Sequence, residues 1–321
     1  MMSCEVASSD QNTIIRLGSD IIPLKYHLDL TLDPRSDNFN GFAIIDLKLN
    51  LLTQSIVLHA EGLVFDVVYI KQQNRRAKAK IVHLANDGTT ALNFDEMLQP
   101  GLGQLTFQYH AKFSKGLEGL YKVVDGKQKS LFTQFQAIGA RRAFPCFDEP
   151  GFKAMFDVTI HAPKNFTAIS NTREIAAVRE SRNFVGHRFA ITKPLPTYLI
   201  AFAVGDFDVV IHAPIPASKV RTTPIPLRGT AIRGRSKSPK FALDLTAKLL
   251  LVEEKYFGVA YPFDKLDILA VPSMGASGME NAGVIVYDES FVLLDRDSTL
   301  HRCREFFCCM PMKSHITGLA T

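Results

Sequence analysis

The sequence predicts a mainly β protein: an antiparallel β-sandwich followed by a shorter segment of mixed α and β character. Three observations predict it. From Tyr26 to about Asp208, apolar and polar residues alternate in period two through run after run. No helical periodicity separates those runs, so the strands follow one another directly, as in a sandwich. After Pro214 the period changes to that of a helix, and two short apolar runs follow it. A length of 321 residues makes two domains the natural expectation, and 46% hydrophobic residues is ample for packed cores.

The elements can be justified in order. The run YHLDLTLDP places Tyr26, Leu28, Leu30 and Leu32 on one face. FAIIDLKLNL, LTFQYHAKF and MFDVTIHAP repeat the pattern, each bounded by Gly, Pro, Asn or Asp. Pro214, Pro216, Pro224 and Pro226 then read as a connector, which puts the domain boundary near residue 210. In KFALDLTAKLLLVEEKYFG, the residues Phe241, Leu245, Leu249 and Val252 recur at helical spacing, with Ser238 as N-cap and Gly258 past the end. LDILAVP and AGVIVYDES read as two short strands, with Gly278 to Asn281 between them.

Charge and composition exclude several functions. The net charge of +5 is spread along the chain, so no nucleic-acid partner is expected. The densest basic stretch (Arg228, Arg233, Arg235, Lys237 and Lys240) reads as a solvated loop leading into the helix. No apolar run reaches the roughly eighteen residues of a membrane span, so no membrane partner is expected. The first twenty residues lack a basic start and an apolar core, so no secretory signal is expected. Cys4, Cys146, Cys303, Cys308 and Cys309 form no even framework, and a reducing cytoplasm fits best. Cys303, Cys308 and Cys309 with His301 and His315 have poor zinc spacing, because adjacent cysteines chelate one ion badly.

Four segments carry chemistry. They are Gly278-Met279-Glu280-Asn281 within SMGASGMENAGVIVYDE, the run TQFQAIGARRAFPCFDEPGFKAMFD from Thr133, then KPLPTYLIAFAVGDF and YFGVAYPFDKLDILAVP. In their order and spacing along the chain they resemble the M1 family of zinc aminopeptidases, over roughly Ile15 to Asp295. The resemblance implies a saddle-like β-sandwich over residues 15–208. Residues 209–297 would be the incomplete start of an α+β, thermolysin-like catalytic domain, and 298–321 an aberrant tail. It implies that Glu280 forms an ion pair with the α-ammonium of a peptide, a contact contributing on the order of 1.5–3 kcal/mol. Ser277, Gly278, Met279 and Asn281 would lie beside the peptide as an added strand, and Gln136 would be a second amine ligand. Ser277 stands where the commonest form of the motif has Gly. The expected partners are peptides with a free N-terminus. Asp148-Glu149-Pro150 could pass for an acid/base pair, but reads better as a turn whose carboxylate pairs with Arg141 or Arg142.

The family's zinc motif His-Glu-x-x-His occurs nowhere in the 321 residues. The chain is therefore expected to bind no zinc, the cofactor of the intact family, and to contain no catalytic residue. Reading the codons of Met310 to Thr321 from the third base of the first permits Ala-His-Glu-Ile-Ala-His-His-Trp-Phe-Gly-Asn. The tail is thus expected to be frameshifted, with the change between Asp297 and Met310. Two alternatives stand beside an inactive aminopeptidase portion: a non-catalytic module for peptide N-termini, and a parent that couples aminopeptidase with epoxide-hydrolase activity. Without the helices that should cover its strands, the part from Pro214 onward is expected to be poorly ordered.

Overall fold

The computed structural model describes residues 16–85, 87–235 and 239–293. The sandwich part begins with β1 (Ile21–Thr31), β2 (Asn38–Leu49), β3 (Thr53–His59), β4 (Leu63–Gln72) and β5 (Arg75–Lys78). It continues with β6 (Lys80–His83), β7 (Thr89–Leu98), β8 (Gly101–Lys112), β9 (Gly119–Asp125) and β10 (Gln128–Gln134). Then come β11 (Met155–Pro163), β12 (Thr167–Ser170), β13 (Glu174–Arg179), β14 (Phe184–Phe189) and β15 (Phe202–Gly205). The remainder is β16 (Phe207–Ile215), β17 (Ile225–Ile232), α1 (Pro239–Phe257), β18 (Leu266–Val271), β19 (Gly278–Asn281), β20 (Val284–Asp288) and α2 (Glu289–Val292). The chain is mainly β, as its alternation predicts.

An eight-stranded sheet in the order β13-β14-β11-β1-β2-β8-β4-β5 forms the large layer. A three-stranded sheet, β3-β7-β6, and a four-stranded sheet, β12-β15-β10-β9, accompany it. Tyr26, Leu28, Leu30 and Leu32 are at most 1% exposed, while Lys25, His27 and Asp29 between them make ion pairs outside the core. Inside, Tyr26 stacks on Phe156 with centroids 4.7 Å apart, and Phe144 meets both rings edge-on. One pairing departs from the antiparallel expectation: β1 lies parallel to β11, with Tyr26 opposite Phe156. A parallel pair needs a long crossover, and the strands between β1 and β11 supply it.

Sheet membership changes between β15 and β16, where a five-stranded sheet, β16-β17-β18-β20-β19, begins. Three expectations are corrected in this part. The basic stretch is not solvated loop throughout. Arg228 sits in β17, bonded to buried Asp267 at 2.8 and 2.5 Å; Arg233 pairs with Asp206, and Arg235 with Asp125 and Glu289. The buried face of α1 is also displaced from the predicted stripe. Ala242, Leu243, Thr246, Leu250, Glu253 and Glu254 are buried, whereas Val252 is 61% exposed. Burial opposes ionisation of Glu254, yet the Arg221 guanidinium, 2.8 Å away, holds its pKa below the ordinary carboxylate value. Ser238, Lys237, His301, His315, Cys303, Cys308, Cys309 and the whole 298–321 segment lie outside the described residues.

The third correction concerns cover. Ile232, Leu269, Val271, Met279, Val284 and Val286 of the five-stranded part join the same core as the sandwich. Phe132, Thr133, Ile169 and Ala203 face Leu269, Val284 and Val286 across a seam that encloses no room for water. The sandwich covers one face of this sheet and α1 packs on the other, although Val252, Tyr256 and Phe257 of α1 stay exposed. Limited proteolysis should therefore leave a resistant fragment extending to about residue 293. A stable product ending near residue 210 would show that this seam does not hold.

Two histidines contribute to the pH response of the fold near neutrality. His161 bonds Asp29 at 2.7 Å and Glu180 at 2.6 Å, and the Asp29 bond is the chief cause of a pKa raised from 6.5 to about 9. Its contribution is complete below pH 6.5 and disappears as pH rises through about 9. His59 is held neutral in the core, chiefly by burial and then by Arg141, with a pKa lowered from 6.5 to about 4. The unfolded chain takes up this proton first, so stability falls as pH drops from 6.5 toward 4. Melting temperature measured against pH should fall on both sides of neutrality. His161→Gln should flatten the alkaline limb and leave the acid limb in place.

Candidate functional site

The candidate site is built on a hairpin. β20 is sandwiched between β18, to which it runs parallel, and β19, to which it runs antiparallel. The register sets Gly278 opposite Tyr287, Met279 opposite Val286, Glu280 opposite Ile285 and Asn281 opposite Val284. Successive residues of a strand point to opposite faces. Met279 and Asn281, 1% and 2% exposed, share the sandwich face with Val286 and Val284. Gly278 and Glu280 share the other face with Tyr287 and Ile285, which belong to the core under α1. The motif is thus divided by its period: two residues anchor the strand, and the carboxylate points away from the sandwich.

Several local devices fix this hairpin. A Cβ on Gly278 would lie 2.7 Å from the Tyr287 ring and 2.8 Å from the Val286 carbonyl, so no larger residue fits. Gly283 closes the turn at φ +72°, a left-handed conformation that favours glycine. The Ser277 carbonyl accepts from the Asp288 amide at 3.3 Å, which keeps pairing going past the strand end. The Asn281 amide donates to the Ile200 carbonyl at 3.3 Å, tying the strand to the segment before β15. Beneath the turn, buried Lys265 donates to the Gly283 carbonyl at 3.0 Å and to Asp267 at 2.7 Å. Burial lowers the Lys265 pKa; for Asp267 burial works the other way, but Lys265 and Arg228 together hold its carboxyl below the ordinary value.

Gly278 to Asn281 therefore come together in one short strand at the edge of the sheet, with Ser277 just before it. Glu280 is half-buried and close enough to Tyr198 that its charge adds to burial in raising that phenol's pKa. Gln136 lies exposed on the sandwich side, in the turn that follows β10, where its carbonyl accepts from Gln134 at 3.5 Å. Asp148 takes the structural role. It is 2% exposed, bonds Arg141 at 3.0 Å and accepts from Thr197 at 2.6 Å, while the Asp148 amide donates to His59. Arg142 pairs instead with Glu61 and Glu118. Sequence reasoning missed Lys265, Asp267 and Asn171: Lys265 and Asp267 pair across two residues, but their further partners Gly283 and Arg228, and all those of Asn171, lie far off in the chain.

Among the described residues no group of three His, Cys, Asp or Glu side chains could hold a metal ion. No described helix is long and apolar enough to cross a membrane.

Comparison with known proteins identifies the fold. Residues 22–199 match the peptidase M1 N-terminal domain, and residues 241–307 match the peptidase family M1 domain. The chain belongs to peptidase family M1. It is 33% identical over 288 residues to aminopeptidase M1-C of Oryza sativa subsp. japonica, covering 88% of the chain and 32% of that relative. It is also 33% identical to aminopeptidase M1 of Arabidopsis thaliana, covering 87% and 32%. Its identity to the puromycin-sensitive aminopeptidase of Caenorhabditis elegans is 30%, covering 89% and 30%. The M1 chain thus spans about a third of the length of the curated relatives it matches. What its strand offers chemically is a position at the sheet's edge, among the described residues, with one carboxylate beside it.

Proposed function

We propose that this chain is the N-terminal portion of a zinc-dependent aminopeptidase, with β19 as the strand along which a peptide lies. The observation that carries the reading is the alternation in β19. It buries Met279 and Asn281 against the sandwich and leaves Glu280 on the other face of an edge strand. A peptide added to that edge makes backbone hydrogen bonds through Ser277, Gly278 and Met279, and sets its α-ammonium against Glu280. Gln136 serves as the second amine ligand, a neutral acceptor giving less Coulomb attraction than a carboxylate. The partners are peptides with a free N-terminus, and neither nucleic acid nor membrane is one. A reducing cytoplasm is the location, supported by the buried free thiol of Cys146.

The chain binds no zinc and is inactive by itself, because its 321 residues contain no His-Glu-x-x-His. The tail arises from a change of frame, and the family match running to residue 307 supports a change late in the 297–310 interval. Two measurements test this reading. Metal analysis of the purified chain should find no stoichiometric zinc, and no aminoacyl anilide should be hydrolysed. DNA spanning codons 297–321 should spell Ala-His-Glu-Ile/Val-Ala-His-His-Trp-Phe-Gly-Asn in a shifted frame, followed by a long open frame. One zinc per chain with chelator-sensitive activity, or a stop codon soon after that helix, would sink it.

A further inference from the structure

Asn171, which follows β12, lies 111 residues before Ala282 of the signature hairpin, yet its side chain bonds both that turn and the segment 199–201. It is 3% exposed. Its Nδ2 donates to the Leu199 carbonyl at 2.8 Å and to the Ala282 carbonyl at 2.9 Å. Its Oδ1 accepts from the Ala201 amide at 2.9 Å. Ala282 lies in the two-residue turn between β19 and β20, and residues 199–201 lead into β15. One carboxamide thus joins the tip of the signature hairpin to the sandwich.

Three neighbouring contacts converge on the same point. A Cβ on Gly283 would lie 2.2 Å from the Asn171 carbonyl oxygen, so backbone meets backbone there without space for a side chain. Lys265 donates to the Gly283 carbonyl of the same turn at 3.0 Å. Asn281 reaches the Ile200 carbonyl, beside both Asn171 contacts on that segment. Both carbonyls of the turn, Ala282 and Gly283, are therefore held, and Glu280 sits two residues before Ala282. A side chain with one acceptor and two donors in a fixed fork suits this task; a hydroxyl or a carboxylate cannot make all three bonds.

We infer that Asn171 is a positioning residue, a latch that fixes the β19–β20 hairpin on the sandwich and so sets where the Glu280 carboxylate stands. The inference rests on the reading that Glu280 receives a peptide's amino terminus. The latch is nonetheless a property of the hairpin and can be measured without substrate.

The test is native-state hydrogen exchange on the 321-residue chain and on Asn171→Asp. The substitution is nearly isosteric and keeps the acceptor for Ala201, but turns a carboxylate toward two carbonyls. Protection of the β19 and β20 amides should fall by on the order of tenfold, with the Ala201 amide and β1–β2 unchanged. Lowering the pH should protonate the introduced carboxyl, restore one donor and recover part of the hairpin's protection, an effect that a mere loss of packing would not produce. Unchanged protection in the hairpin, or equal losses in β1 and β2, would overturn the latch. If Asn171→Asp does not fold, the unaltered chain decides. The Ala201 amide and the hairpin amides should open as one unit with equal free energies, and unequal values reject the proposal. Glu280→Gln should leave the whole exchange pattern in place, so failure of the amine-binding reading would not be mistaken for failure of the latch.

Discussion

Glu280→Ala in the frame-restored, full-length protein should lower kcat/KM for peptides with a free amino terminus by on the order of a hundredfold. The substitution leaves an ammonium beside β19 without its counter-charge. Charge-assisted bonds of this kind contribute roughly 1.5–3 kcal/mol, equivalent to about ten- to a hundred-and-fifty-fold. An N-acetylated analogue has no ammonium to lose, so its weak binding should be unaffected by the change. The fold should survive, because Glu280 points away from the sandwich, whereas Met279 and Asn281 hold the strand to it. Equal losses for the free and acetylated peptides would mean that Glu280 does not recognise the amine. Met279→Ala should show the converse pattern: a cavity in the seam and lower stability, with discrimination between the two peptides retained.

The largest effect on stability is expected from Asp148→Ala. Asp148 and Arg141 are both almost fully buried and 3.0 Å apart, and Thr197 donates to the second carboxylate oxygen. Removing the acid leaves a guanidinium inside the core without its counter-charge. That situation costs about 3–5 kcal/mol. Urea unfolding should register the loss as a lower midpoint at unchanged slope. The double replacement Arg141→Met with Asp148→Leu should recover most of it, since desolvating the pair is itself costly. If the single variant costs less than about 1 kcal/mol, the pair is not isolated from water as the structure has it.

Much of this was legible in the sequence, and the reasons divide cleanly. Tyr26, Leu28, Leu30 and Leu32 could be assigned to one face because strand burial depends on a period of two and on nothing remote. The Asp148 turn and its partner Arg141 were legible because they are seven residues apart. The phase of α1 was not. Glu254 is buried only because Arg221, 33 residues earlier, neutralises it, so the most polar stretch of the helix faces inward and Val252 faces out. β17 was hidden by its own arginine. Arg228 reads as solvated until Asp267 appears opposite it, in a strand reached only after α1. The signature tetrapeptide could be read as a motif, but its division into anchors and carboxylate needed the register with β20. Asn171 was silent for the same reason as Arg221: its partners are brought near by the fold alone.

The parallel pairing of β1 with β11 also has a consequence during synthesis. The last residue of β2 is Leu49 and the last of β11 is Pro163, so 163 − 49 = 114 residues must be added before both edges of β1 are paired. At about 5–20 residues per second, the ribosome needs roughly 6–23 s for that stretch. Through this interval the nascent chain presents β1 as an open edge lined with apolar side chains, the sort of template on which chains aggregate. The most hazardous moment in the life of this protein is therefore set by strand order rather than by length. A pause or a chaperone that acts before residue 163 leaves the exit tunnel would decide its yield.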